Sequence, residues 1–552
     1  AWGYVPDHRS FLQGVSKLPA GHSLLLRHDA PLPAPSQWWD VSFAERRKGR
    51  AADLEAELLH LLRQAVTSRM AADVPLGAFL SGGVDSSSVV ALMAEASGNP
   101  LRTCSIGFDV KALDETSHAE LVAARFATSH VARTVSPDDF DHVDTLATMF
   151  DEPFADASAL PTWRVCQLAR ESVTVALSGD GADEAFAGYR RHRFQHAEDR
   201  MRGLVPGALR APLFGALGSV WPKADWAPRP LRAKTTLLSL AASSEEGYAR
   251  SVSFAAPDLR ERLYSDQFRR LRGDYRAEDA FTALMRNAPA RSGLDRAQYA
   301  DLKFWLPGDI LTKVDRTSMA VSLEAREPLL DHRLIEFAAS LPEGLRLRGG
   351  EGKWLLKKAM RRYLPDEILY RQKQGFVTPI AAWFRGPLAD TALNIASKAS
   401  LARTGWFNSA VLRQLAETHV SGRSDHSRLL WQLLMLDKAL EGFLDPQAIT
   451  PAALIKDLDD QFEMAGIAKP HPNTIRNRVA DIPLKRRMTA RGQSELAKQR
   501  FDPTPGQFPD GTFPLECVQA DHVLLDMKVV DVETRQPIEK RPWLTLLIDS
   551  YS

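Results

Sequence analysis

Cysteine is scarce in this chain: Cys104, Cys166 and Cys517 are the only three in 552 residues. They stand too far apart to suggest a disulfide framework or a zinc site, and their scarcity fits a reducing, cytoplasmic compartment. Long apolar runs are missing too. None approaches the ~20 residues of a membrane-spanning helix, so no membrane partner is expected. The opening AWGYVPDHRS lacks the charged start and apolar core of a signal peptide. An excess of one charge is also absent. The 70 Lys and Arg face 69 Asp and Glu, and a net charge of +1 selects neither nucleic acid nor a membrane surface for the chain as a whole. There are no internal repeats and no low-complexity tracts. What remains is the composition of an ordinary globular protein, 44% hydrophobic and 25% charged. Its length predicts about three or four domains.

Hydrophobic patterning organises the chain. Residues 1–40 are mixed and proline-rich, with VSKLPAGHSLLL predicting one or two strands, and are too few to form a core alone. Residues 52–69 carry apolar side chains at helical spacing. From 75 to 180 the pattern alternates, with strands over 75–80, 101–108, 130–135 and 173–180 and helices over 86–96, 115–127 and 158–172. Such alternation predicts an α/β fold, a doubly wound parallel sheet with helices on both faces. Ligands in such sheets sit outside the carboxyl ends of the strands. Residues 184–445 read mainly as helices, and the chain breaks in character around 445–452.

Two loops occupy the position where a ligand belongs. In LSGGVDSSSVV (80–90), Gly82 and Gly83 let the backbone approach a bulky anion. Ser81, Ser86 and Ser87 supply hydroxyl donors, and the following helix points its positive end at the turn. Asp85 would repel a phosphate unless a cation lay between them, which implies Mg²⁺. Taken alone, the stretch reads equally well as a plain strand–turn–helix junction. It is not a Walker A loop, for no lysine follows the glycines in the required place, and GGEGK (349–353) has the wrong spacing and no preceding strand. The second loop, ALSGDGADEAFAGY (176–189), again follows a strand, repeats Ser-Gly and adds Asp180, Asp183 and Glu184. Its bland alternative is a solvated acidic turn. Together the two loops could hold Mg²⁺ on a triphosphate.

The pair SGGVDSS and LSGDGADEAFAGY resembles the synthetase domain of glutamine-dependent asparagine synthetases, in the pyrophosphate-loop ATP pyrophosphatase superfamily with its adenine nucleotide alpha hydrolase-like fold. The likeness continues in order through DEPFADASALPT (151–162), DRTSMAVSLEAREPLLDHRLIEFAASLP (315–342), KWLLKKAMRRYLPDEILYRQKQGF (353–376) and HSRLLWQLLMLDKAL (426–440), and covers 45–445. It implies an enzyme that adenylates the aspartate side chain with ATP and Mg²⁺, releases pyrophosphate, and lets ammonia displace AMP to give asparagine. It implies that Leu80, Ser81, Gly82, Gly83, Asp85, Ser86 and Ser87, with Ser178 and Gly179, bind the nucleotide phosphates, and that Ser105, Ile106 and Gly107 contact adenine or ribose. By the same likeness Asp85 and Asp183 are metal ligands, and Lys373, Asp180 and Tyr189 are catalytic. Lys373 would stabilise charge gathering at the α-phosphate. Asp315 and Arg316 fall in a family motif. Glu324 and Arg326 fit either a site role or a structural ion pair. The chain departs from the pattern at Asp180, where many members have Glu, at Ala182, where Gly or Ser is usual, and at Glu327, where an apolar residue is usual. A homodimer is a further expectation, and related enzymes act on other carboxylates.

The flanks read differently. Residues 3–26 resemble the last stretch of the family's glutaminase domain (1–40 as a remnant), and with alanine at position 1 free ammonia is the expected nitrogen donor. Residues 469–500 hold nine Lys and Arg against two acids. PHPNTIRNRVADI within 452–500 predicts a helix-turn-helix-like segment, so 470–500 reads either as a DNA contact or as a solvated basic helix. Residues 514–552 resemble the opening of a Mu-like DDE transposase or integrase core, a partial ribonuclease-H-like sheet, with Asp521 at its first metal-binding position. The second Asp and the Glu of that core are missing, so no strand transfer is expected. The whole reads as a synthetase fused to the front of a transposase. The alternatives are a DNA-binding transposase fragment with an inactive passenger synthetase, or a non-functional remnant.

Overall fold

A computed structural model describes residues 1–444, apart from 13, 28–30, 111–113, 222–232 and 372–377, and apart from the side chains of 399 and 442–444. Ala1–Asp445 forms one compact unit, and Pro446–Ser552, a second unit, lies outside the described residues. The first unit is built on a five-stranded sheet: β1 (Leu76–Phe79), β2 (Arg102–Phe108), β3 (Ser129–Val135), β4 (Val175–Leu177) and β5 (Glu324–Arg326). Its order is β3-β2-β1-β4-β5 and every pairing is parallel, with Ala78 opposite Thr103 and Leu177, Ser105 opposite Ala132, and Leu177 opposite Arg326. The order reverses at β1, so the crevice beside its carboxyl end is the expected ligand position.

Helices cover both faces, as the alternating pattern predicts. On one side α1 (Ala51–Arg69), α2 (Val84–Ala96) and α3 (Thr116–Arg125) contribute Leu58, Leu62, Val90, Met93 and Val122 to a core shared with Ala78, Val175 and Leu177. On the other, α4 (Ala159–Arg170) packs Trp163, Val165 and Cys166 against Cys104, Ile106, Phe108 and Ala176. Val175 and Leu177 thus face one core and Ala176 the other, the period-two alternation of a strand buried on both faces. Burial pushes the Cys104 thiol up to about 12, so it is a packing residue, not a nucleophile.

The four strand expectations from 75 to 180 hold to within three residues at their ends, with two further differences elsewhere. The N-terminal strands shrink to a two-residue pair, His22–Ser23 with Ser36–Gln37. Most of residues 1–44 that are described instead pack as irregular chain on the helical part. Trp2 stacks on Phe281 at 5.3 Å, the Tyr4 hydroxyl donates to Phe304 O at 3.2 Å, and Lys17 pairs with Glu152 at 2.5 Å. The second difference is β5, a short strand inside a stretch that reads as helical. Beyond β4 the described residues are otherwise mainly helical, apart from a two-residue antiparallel pair, Leu347–Arg348 with Glu351–Gly352, and include α5 (Arg190–Leu204), α6 (Gly207–Val220), α7 (Lys234–Ala241), a π-helical stretch Asp301–Leu311 running into α8 (Thr312–Met319), α9 (Trp354–Met360) and α10 (Ser427–Leu444).

β5 is held by its own ion pair. Arg326 pairs with Glu324 at 2.7 Å and donates to the carbonyls of Arg69 and Ala71 at 2.8 and 2.7 Å, anchoring the chain where α1 ends. Of the two readings of this pair, the structural one fits these bonds. Replacing Arg326 with Ala removes charge-assisted bonds worth roughly 1.5–3 kcal/mol each in favourable settings. The expected outcome is a lower urea midpoint with the far-UV circular dichroism of the folded protein unchanged.

Candidate active site

The first loop leaves β1 at Leu80, whose N–H donates to Cys104 O at 2.8 Å, and enters α2 at Val84. Gly82 turns with φ +67°, and a Cβ there would stand 2.5 Å from the His118 carbonyl carbon, so the start of α3 lies directly on the turn. Only glycine fits both demands. Ser81 N–H donates to Ser86 Oγ at 3.2 Å, and the two hydroxyls are 3.1 Å apart. No side chain caps α2 at Gly83. Its first-turn amides and positive end are therefore available to an anion. Ser87 is fully buried, and its hydroxyl meets no hydrogen-bond partner among the described residues.

The second loop leaves β4, the neighbouring strand. Ser178 N–H donates to Arg326 O at 2.8 Å, and the Ser178 hydroxyl donates to the Asp180 carboxylate. Gly179 is the contact between the loops: a Cβ there would lie 2.5 Å from Ser86 N. A short helix, Ala182–Ala185, then carries Asp183 and Glu184 inward, where both are buried. Tyr189 donates to Glu184 Oε1 at 2.6 Å, and Gln298 Nε2 donates to the carbonyls of Glu184 and Ala185 at 2.7 and 2.8 Å. Burial first, then the neighbouring Asp183, pushes the Glu184 carboxyl up to about 7 despite the tyrosine donor.

A lysine from a third segment closes the arrangement. Lys353, 3% exposed, places Nζ 2.5 Å from Asp85 Oδ2 and 2.7 Å from Asp183 Oδ1. Its backbone is left-handed at φ +57°, and its N–H donates to Phe186 O at 2.9 Å. Gly188 makes room for it, since a Cβ there would lie 2.1 Å from Asp183 Oδ1 and from Lys353 Cε. Two carboxylates and one ammonium leave net negative charge at the mouth of an anion-binding turn. That donor set fits a hard divalent cation shared with phosphate oxygens. No group of three His, Cys, Asp or Glu converges on one point among the described residues, so phosphates and water would complete the shell.

Similarity to known proteins agrees with this geometry. A family model described as asparagine synthase matches residues 57–441. The chain belongs to the asparagine synthase family. It is 28% identical over 440 residues to asparagine synthetase (glutamine-hydrolyzing) 1 of Bacillus subtilis (strain 168), covering 78% of this chain and 66% of that protein. It is 27% identical over 384 residues to asparagine synthetase (glutamine-hydrolyzing) 3 of the same strain, covering 66% of this chain and 54% of that one. The amidase chyE of Penicillium rubens is 26% identical over 444 residues, covering 72% and 64% respectively. The chain thus spans about two thirds or less of the length of these relatives.

Within this family domain the structure joins Ser81, Gly82, Asp85 and Ser86 to Gly179 and Asp183 as one cluster. Ser105, Ile106 and Gly107 lie on β2 where it runs past the end of β1, paired on the β3 side through Phe108 opposite Val135. Lys373 lies outside the described residues, as do Asp521 and the segments 452–500 and 514–552. The residues flanking Lys373 are anchored at the site: Arg371 donates to Gly82 O at 3.0 Å and pairs with Glu115 at 2.6 Å, while Thr378 donates to Ala157 O at 2.7 Å. Sequence reasoning missed Lys353, although it opens the KWLLKKAM motif. It also missed the buried pair of Lys313 with Asp156, at 2.9 Å, inside DEPFADASALPT.

Glu327 follows β5 and is partly buried beside Asp180. Burial, then the charges of Asp180 and Asp315, push its carboxyl up to about 8. Two outcomes are expected here. Gly179→Ala should drive the loops apart at Ser86 and abolish nucleotide binding, read by equilibrium titration with ATP, while circular dichroism stays folded. For Glu327, the unfolded chain releases its proton near ~4.5 and the folded chain only near 8, so its contribution to stability falls as pH rises between those values. Glu327→Gln mimics the protonated form. Its melting temperature should match the parent at pH ~4.5 and exceed it by about 2–4 °C above pH ~8.5.

Proposed function

We propose that this chain forms an amide from a carboxylic acid and ammonia at the expense of ATP, with the aspartate side chain as the acid. A carboxylate oxygen attacks the α-phosphorus of ATP, the bond to the β-phosphate oxygen breaks, and pyrophosphate leaves. Ammonia then attacks the acyl carbon of the aspartyl adenylate, AMP departs, and the product is asparagine. The observation supporting this most strongly is the contact of the two loops around Lys353, which sets an anion-binding helix end, two carboxylates and a buried ammonium within one small space.

Roles follow from position. The 81–86 turn and the start of α2 hold the β- and γ-phosphates, and later the free pyrophosphate. The Lys353 ammonium stands where negative charge builds when the α–β bond breaks, and in a site shielded from water such a fixed charge is worth far more than in solution. Mg²⁺ held by Asp85 and Asp183 would supply further neutralisation of the phosphates. Arg371 orders the turn through Gly82 O and leads into the segment carrying Lys373. Asp180, at the end of β4, is the acceptor for the proton that ammonia loses. Tyr189, fully engaged with Glu184, acts by positioning that carboxyl next to Asp183. Ser105 to Gly107 present backbone groups to the adenosine. The amidase name of a relative marks the carboxylic acid as the variable part of the reading.

The test is ATP–pyrophosphate exchange with a panel of carboxylic acids, followed by ammonium-dependent AMP release. Aspartate should stimulate exchange most, and ammonium should then yield asparagine. Lys353→Met should cut exchange by about 10²–10³-fold. Stimulation by a different acid alone would refute aspartate and keep the chemistry. No stimulation by any acid would refute the chemistry itself.

A further inference from the structure

Helix α6, GALRAPLFGALGSV, is apolar, yet of its residues only Gly218 is buried. Gly218 sits on α7, where a Cβ would lie 2.8 Å from Leu238 Cδ2. The opposite face carries Leu209 (62% exposed), Leu213 (51%), Leu217 and Val220 (79%), and Leu204 at the end of α5 is 82% exposed. A row of bare leucines on a two-helix corner is not a surface that water alone explains.

The surrounding charge is mainly cationic, with Glu343 placed 3.5 Å from His196. Residues 200–221 contain Arg200, Arg202 and Arg210 and no acid. Along α5, Arg193, His196, Arg200 and Leu204 share a face and line a groove of about 530 Å³, with Gly349 and Gly350 on its other wall. The acids of α5, Glu198 and Asp199, are both taken by Arg202 at 3.0 and 2.7 Å. Among the described residues Arg193, Arg200 and Arg210 pair with no carboxylate.

We propose that the α5–α6 corner is a peripheral docking surface for an anionic lipid bilayer. The leucines and valine of α6, with Leu204, enter the acyl boundary, and the groove of Arg193, His196 and Arg200 takes lipid phosphate. A 14-residue apolar helix beside a cationic groove is too short to span a bilayer and would lie at its surface. No helix among the described residues is long and apolar enough to cross a membrane. A second copy of this chain is a poorer occupant. A twofold interface sets the same patch against itself, and arginines would meet arginines. The N-terminal segment docks elsewhere, on Phe281, Phe304 and Glu152.

The experiment is co-sedimentation of the full chain with vesicles of phosphatidylcholine alone or mixed with phosphatidylglycerol. Binding should require the anionic lipid and should weaken as salt rises from about 50 to about 300 mM. Arg193→Gln with Arg200→Gln should weaken it about 25-fold, at about fivefold per charge. Leu213→Asp with Leu217→Asp should abolish it, with nucleotide binding and circular dichroism unchanged. Equal binding to both vesicle types, no binding to either, or full binding by the leucine variant would overturn the proposal. So would a finding by sedimentation velocity that the leucine variant only turns a dimer into a monomer.

Discussion

One buried ammonium holds the site together. Asp85 and Asp183 come from turns after different strands, and two carboxylates brought that close in a low dielectric repel strongly. Lys353 between them turns the repulsion into attraction and ties the 80s, the 180s and the 350s to one point. A buried ion set of this kind is stable only while complete, because removing one member leaves the others uncompensated. The backbone is arranged to allow it. Gly179 lets the loops touch, Gly188 leaves space for the lysine stem, and Lys353 itself takes a left-handed conformation that a non-glycine residue adopts only at some cost.

Around that point the later part of the chain grips the earlier part with cations. Arg371 holds Gly82 O and Glu115, Lys313 holds Asp156, Arg316 holds Asp151 at 2.7 Å, and Arg326 holds the end of α1. Each bond joins a segment beyond residue 300 to one before 160. The exposed member of this set, Arg316 with Asp151, contributes little stability by itself. The buried Lys313 differs. Its partner Asp156 is held below the usual carboxylate range by that lysine and by Ser158, which outweigh the upward push of burial. The carboxyl ends of the strands therefore become a rigid floor, and the loops above them inherit that rigidity.

The sheet was legible because its strands alternate with helices at regular spacing and both periodicities are strong. The contact between the two loops was legible too, since Ser-Gly after a strand recurs at 81–82 and 178–179 and the strands carrying them are neighbours. Lys353 was not. A lysine is among the commonest surface residues, and nothing local distinguishes one that folds inward to meet a carboxylate 268 residues away. β5 escaped for a related reason: three residues, EAR, without a long alternation, become a strand only because β4 offers an unpaired edge. The N-terminal strands failed in the other direction. VSKLPAGHSLLL has strand-like residues but no long partner, and most of its apolar side chains remain exposed or half-buried.

The carboxyl groups near the end of β4 show how charge balance constrains what the loops can become. The Asp180 carboxylate is drawn back onto the Ser178 hydroxyl. Glu327, arriving from the end of β5, adds another carboxyl to the same space. An ionised Glu327 would meet the charges of Asp180, Asp315 and Glu324, against which Arg69 is an opposing charge. By keeping its proton to about pH 8, Glu327 is neutral at neutral pH and adds no further negative charge beside Asp180. A local packing problem is thus solved by protonation instead of by an apolar side chain, and the solution holds only while the pH stays below that value.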